Sequence, residues 1–138
     1  MQQQGVLMKR IMILALMLLV ILQNACISGS GWLEHHPPKI RAGTTSTIQL
    51  RLGVTNGNAD RAYKSATMHY DITGKGDFIS TKMERINTTE KVVLFTAEIP
   101  SLPATMRSKQ FIYYFTFDMD GTERRHPEAK KQLSVTIE

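Results

Sequence analysis

Gln110-Phe111-Ile112-Tyr113-Tyr114-Phe115-Thr116-Phe117-Asp118 is the stretch that decides the fold class. Phe111, Tyr113, Phe115 and Phe117 fall on one side of it, and Ile112, Tyr114 and Thr116 on the other. Strict alternation of aromatic and β-branched residues is the pattern of a strand with one face buried. Asp120-Gly121 follows and supplies turn residues.

The same period of two runs outward from this segment. Val93, Phe95, Ala97 and Ile99 share one face of a strand that Pro100 ends, because proline cannot donate to a central ladder. Ile48, Leu50, Leu52 and Val54 alternate with Gln49, Arg51 and Gly53, up to the turn residues Asn56-Gly57-Asn58-Ala59-Asp60. Ala66, Met68, Tyr70 and Ile72 form another strand, with Gly74-Lys75-Gly76-Asp77 as its turn. Phe78 to Ile86 reads as one weaker strand, and Leu133, Val135 and Ile137 as the last. No helical stripe interrupts them. Short strands at regular spacing with turns between predict an all-β fold, an antiparallel β-sandwich over residues 39–138.

Composition narrows the function. The chain of 138 residues carries 17 Lys and Arg against 12 Asp and Glu, a formal net charge of +5. The excess is spread along the chain, whereas a nucleic-acid binder concentrates it in a stripe, so no nucleic-acid partner is expected. A single cysteine rules out an intramolecular disulfide and a multi-cysteine metal site.

That cysteine has another use. Lys9-Arg10 precede an unbroken apolar run from Ile11 to Leu22. The run is shorter than the roughly 20 residues of a spanning helix and suits the core of a secretory signal. Residues 1–25 therefore read as a signal peptide. Gln23-Asn24-Ala25-Cys26 resembles a bacterial lipobox, with Ala25 and Cys26 in place and Gln23 where an aliphatic residue is usual. The resemblance implies lipid attachment at Cys26 and a membrane partner through the acyl chains. It places the protein at the bacterial cell envelope. Ile27, rather than Asp, after the cysteine favours the outer membrane in a Gram-negative host. Residues 26–38 read as a tether, flexible at Ser28-Gly29-Ser30-Gly31 and stiff at Pro37-Pro38.

Phe95-Thr96-Ala97-Glu98-Ile99-Pro100, a short loop, and Tyr113-Tyr114-Phe115-Thr116-Phe117-Asp118-Met119-Asp120-Gly121 resemble the C-terminal half of immunoglobulin-like or fibronectin-type-III-like modules of bacterial surface proteins. Met106-Arg107-Ser108 stands where those modules usually have a glycine. The resemblance implies an immunoglobulin-like sandwich, and fold alone does not decide function.

The candidate chemistry is sparse. His35-His36 are two imidazoles in the expected tether, His69 lies on a polar strand face, and His126 sits in a basic turn; none has a partner cluster that would make a metal site. Asp118-x-Asp120-Gly121 lacks the further acidic ligands of a calcium loop. Asn87-Thr88-Thr89 has the form of a glycosylation triplet without bacterial consequence. Arg124, Arg125, Lys130 and Lys131 form the one basic cluster and are the candidate binding residues, for anionic head groups or an acidic glycan. Tyr70, Tyr113 and Tyr114 would be a sugar platform if exposed, and Trp32 is expected to pack on the domain. No metal, cofactor or catalytic constellation is expected. The sequence leads to a non-catalytic binding or structural module that contacts another envelope protein or a glycan. The alternative is an accessory module or small enzyme acting on envelope or extracellular polysaccharide. The two differ in one observable: exposed Tyr and Trp on a flat sheet face beside a carboxylate favour the polysaccharide reading, and a fully buried aromatic set favours the binding or structural module.

Overall fold

Alternating side chains form a sandwich only if two sheets bury their apolar sides against each other, and here they do. The computed structural model describes residues 31–138. Its strands are β1 (Gly31–Glu34), β2 (Ser46–Val54), β3 (Tyr63–Asp71), β4 (Ile79–Lys82), β5 (Glu84–Thr88), β6 (Val92–Ile99), β7 (Gln110–Met119), β8 (Thr122–His126) and β9 (Leu133–Thr136). One helical turn, α1 (Ala59–Ala62), precedes β3. The first sheet has the order β1-β2-β6-β5. The second has the order β4-β3-β7-β8, with β9 also paired to β7. The observed pairings are all antiparallel.

The deciding stretch is the spine of the second sheet. Phe111, Tyr113 and Phe115 are fully buried and face Met68 and Tyr70 of β3 and Leu50, Leu52, Val93 and Phe95 of the first sheet in one core. Asp120 and Gly121 adopt φ of 52° and 80°, the left-handed pair that a two-residue hairpin of matching twist demands. The Asp118 carboxylate accepts the Gly121 N–H there, so this acidic motif closes a turn.

Three expectations need correction. Residues 31–38 are not tether: Gly31–Glu34 pair with Val54–Arg51 as an edge strand, and the folded unit begins at Gly31 rather than residue 39. The signal segment, Cys26 and the rest of the tether lie outside the described residues. Phe78 to Ile86 is not one strand. β4 pairs with β3 in the second sheet, β5 pairs with β6 in the first, and the chain changes sheets at Met83, whose side chain enters the core while its N–H bonds Ala66 O. Finally, His126 and the Arg124 and Arg125 before it are not in a turn but on β8, a strand with too few apolar residues to show a period.

β5 carries the side chain that closes the open edge between the sheets. The Arg85 guanidinium stacks on Phe95 and donates to Asp60 and to the carbonyls of Tyr63 and Lys64, where a bulge between Tyr63 and Ala66 breaks the β3–β7 ladder. A cation thus satisfies carbonyls that the ladder leaves free. Arg85→Met keeps the aliphatic stem and removes the donors. It should lower stability by about 2–3 kcal/mol in urea unfolding, and a change within error would show that the carbonyls are satisfied without Arg85.

Candidate functional site

The outer face of the second sheet is occupied by its own side chains. Tyr114 stacks on His69 with ring centroids 4.5 Å apart, and the Arg125 guanidinium lies 3.8 Å from the Tyr114 ring centre. Phe78 meets Tyr114 edge-on. His69 is bonded through Nδ1 to the Ser80 hydroxyl and through Nε2 to the Thr116 hydroxyl, each at 2.8 Å. Burial lowers the His69 pKa, with Glu123 opposing and Arg125 adding to the shift. The imidazole in this pile is therefore neutral at pH 7. Tyr70 and Tyr113 point into the core. None of the three tyrosines offers a free ring face.

The outer face of the first sheet is built differently. Trp32 is 38% exposed, and its indole lies on the backbone of Gly53, its register partner. A Cβ at Gly53 would sit 2.1 Å from Trp32 Cε2, so only glycine admits the ring. Beside it runs a row across all four strands: Glu34, Arg51, Leu94 and Asn87 are successive register partners. Arg51 donates to Glu34 Oε2 at 3.3 Å, and His36 Nε2 lies 2.9 Å from Glu34 Oε1. Two shallow depressions open on this face. The larger, of 490 Å³, is lined by Gln49, Arg51, Asn87, Thr89, Val92 and Leu94. The smaller shares Gln49 and Arg51 with it. This face thus combines one uncovered aromatic ring, aliphatic floor residues and amide and hydroxyl groups, the elements of a site that recognises a polar ligand with an apolar face.

Two hydroxyls from the opposite sheet reach across to the first sheet beside β1. Tyr63 donates to Gly53 O at 2.7 Å beneath the indole, in the space left by the missing side chain of Gly31. At the other end, Tyr113 donates to His35 Nε2 at 2.7 Å, and His35 Nδ1 donates to Gln49 O at 2.8 Å. A carbonyl only accepts, so the proton of neutral His35 is on Nδ1. Burial, mainly, lowers the His35 pKa; the bond to Gln49 opposes this, and His126 and His36 add to it. Burial also pushes the Tyr113 phenol up to about 12. His35, expected to be an exposed tether residue, is a part-buried bridge between the sheets.

The four basic residues chosen from sequence lie on β8 and in the loop after it. Arg125 is spent on Tyr114 and on the carbonyls of Pro127 and Lys131, which shape the loop between β8 and β9. Arg124, Lys130 and Lys131 are exposed around that loop. Sequence reasoning missed Gln49, Arg51 and Asn87, since outward polar residues carry no distinguishing signal. Gly53 did carry one, as a glycine inside an otherwise regular alternation marks a close approach. Among the described residues, no three of His, Cys, Asp and Glu converge as a metal would require.

No protein-family model matches the chain, and neither does any curated protein. Similarity appears in solved structures. The carbohydrate binding module of the muscle glycogen-targeting subunit of Protein Phosphatase-1 superposes with a TM-score of 0.56 at 8% identity, covering 83% of this chain and 81% of that one. A cyclomaltodextrinase superposes with a TM-score of 0.53 at 15% identity, covering 76% of this chain. This chain spans 19% of the cyclomaltodextrinase chain. At such identities the likeness establishes the β-sandwich fold.

The histidines set a pH dependence. His35, His69 and His126 all have pKa values lowered below the ordinary value, chiefly by burial. The unfolded chain, with histidines near 6.5, takes up protons first as pH falls. Stability contributed by the neutral rings is complete above about pH 7 and is lost below pH 6.5 toward the folded-state values. Thermal midpoints should therefore be lower at pH 5.5 than at pH 7.5, and His35→Gln should shrink the difference. Equal midpoints at the two pH values would contradict neutral, desolvated imidazoles.

Proposed function

We propose that this chain is a carbohydrate-binding accessory module that uses the outer face of the first sheet. The observation that carries the reading is Trp32: among the described residues it is the exposed aromatic ring, and it lies on the same face as Glu34, one row over from the Glu34 row that crosses the sheet. The C–H face of a sugar ring stacks on such an indole, while neighbouring amides and hydroxyls take its hydroxyl groups. An uncovered Trp32 beside Glu34 supplies the tryptophan and carboxylate of the pattern that favours polysaccharide binding, while the tyrosines of that pattern are covered. The similar folds agree with this: one is a carbohydrate binding module, and the other lies within a cyclomaltodextrinase, of which this chain covers 19%. The module is read as non-catalytic, because Trp32 is accompanied by binding groups rather than a poised acid and base.

Trp32→Ala should weaken binding to soluble polysaccharide by at least about tenfold, the equivalent of about 1.4 kcal/mol, with little loss of thermal stability. Affinity electrophoresis in glycan-containing gels measures it. Unchanged retardation of a folded Trp32→Ala protein would remove the first sheet from the account.

The envelope location belongs to the same proposal and rests on sequence. Lys9-Arg10, the apolar run and Ala25-Cys26 support export and lipid attachment at Cys26, and Ile27-Ser28-Gly29-Ser30 is all that separates that cysteine from β1. A binding module so placed would hold glycan close to the membrane. Mass spectrometry of the N-terminus should find an acylated Cys26 in membranes and a soluble, unmodified product for Cys26→Ala. An unmodified wild-type Cys26 would end the anchoring proposal and leave the glycan site untouched.

A further inference from the structure

We infer that the ligand of the first-sheet face is an uncharged glycan lying across the strands, with about three sugar units in contact. The inference rests on the carbohydrate-binding reading and names the ligand's charge, direction and length.

Charge follows from the groove's groups. Arg51 is the one cation that lines the 490 Å³ depression, and it donates to Glu34, the adjacent member of its own row. The other Glu34 oxygen is taken by His36. Such exposed pairs add little stability, but the carboxylate cancels the field that would attract a uronate or sulfate. The remaining polar lining is Gln49, Asn87 and Thr89. Amides and hydroxyls both donate and accept, as sugar alcohols do. The exposed cations Arg124, Lys130 and Lys131 of the basic cluster belong to β8 of the second sheet and the loop after it. Nearer the site, Lys91 Nζ is bonded to Gly57 O at 2.9 Å.

Direction and length follow from register. Glu34, Arg51, Leu94 and Asn87 run from β1 through β2 and β6 to β5, and Trp32, Gly53 and Val92 form the row alongside. Val92 and Leu94 make an aliphatic floor in the depression beside Asn87, and by register the indole stands two strands away, on β1, across β2. A ligand following this floor crosses three inter-strand gaps of about 4.8 Å, roughly 14 Å, which matches about three pyranose units. A chain running along the strands would meet Trp32 and leave Asn87 and Thr89 unused.

The full chain, purified in detergent micelles, should be titrated calorimetrically with maltooligosaccharides and cello-oligosaccharides of increasing length, and with dextran, dextran sulfate and polygalacturonate. Affinity for a neutral series should rise to about three units and then level off, and dextran sulfate should bind no more tightly than dextran. Asn87→Ala should remove the gain from the last unit while leaving the shortest ligands unaffected. Tighter binding of dextran sulfate or polygalacturonate overturns the charge assignment, and affinity that saturates at one unit or is insensitive to Asn87→Ala overturns the crossing geometry; in each case carbohydrate binding itself stands. Failure of every glycan to bind overturns the carbohydrate reading and this inference with it.

Discussion

Two tyrosine hydroxyls that cross the sandwich brace the first sheet on either side of β1, at β2 and at the residue after β1. Tyr63 rises from the second sheet to the carbonyl of Gly53, and Tyr113 rises from β7 to the imidazole of His35. A four-residue edge strand has few ladder bonds of its own and would otherwise fray. The Tyr63 bond is buried and the Tyr113 bond part-buried, and both are costly to leave unmade, so β2 beneath the indole and the residue that follows β1 are tied to the core. His35 extends the constraint to the site, because its other nitrogen holds the backbone of Gln49.

The two outer faces show how local packing separates structure from binding. On the second sheet, Ser80, His69, Tyr114 and Arg125 satisfy and cover one another, and the aromatic ring there has no free face. On the first sheet, the absent side chain of Gly53 lets Trp32 lie flat with its outer face open. An aromatic residue is thus a platform or a filler according to what its neighbours lack. That distinction favours the polysaccharide reading over a protein-binding module. It also shifts attention from the cluster of Arg124, Arg125, Lys130 and Lys131, where Arg125 works as a loop clasp.

Much of the sandwich was legible because its inner strands bury one face and so alternate: β2, β3, β6 and β7 lie where the period of two puts them. The edges were not. Gly31–Glu34 is too short for a period and is flanked by Gly-Ser and Pro-Pro sequences that suggest a tether, while Thr122–His126 is polar enough on both faces to hide. The change of sheet at Met83 is a tertiary choice, since one apolar residue inside a polar run fits a single strand equally well. The site was less legible still. Trp32 was visible as a residue but its support was not, for that lies in Tyr63 and Gly53, distant in sequence, and in a hydrogen bond that composition cannot show. Pairing of Arg51 with Glu34 is likewise a product of register.

The central claim is that carbohydrate meets this protein on the outer face of the first sheet. Backbone amide chemical shifts in ¹⁵N-labelled protein, followed during titration with a neutral oligosaccharide, test it most directly. The account predicts shifts concentrated on β1, β2, β6 and β5, with the Trp32 indole N–H among the largest. Shifts clustered around Tyr114 and His69, or around the loop between β8 and β9, would contradict it.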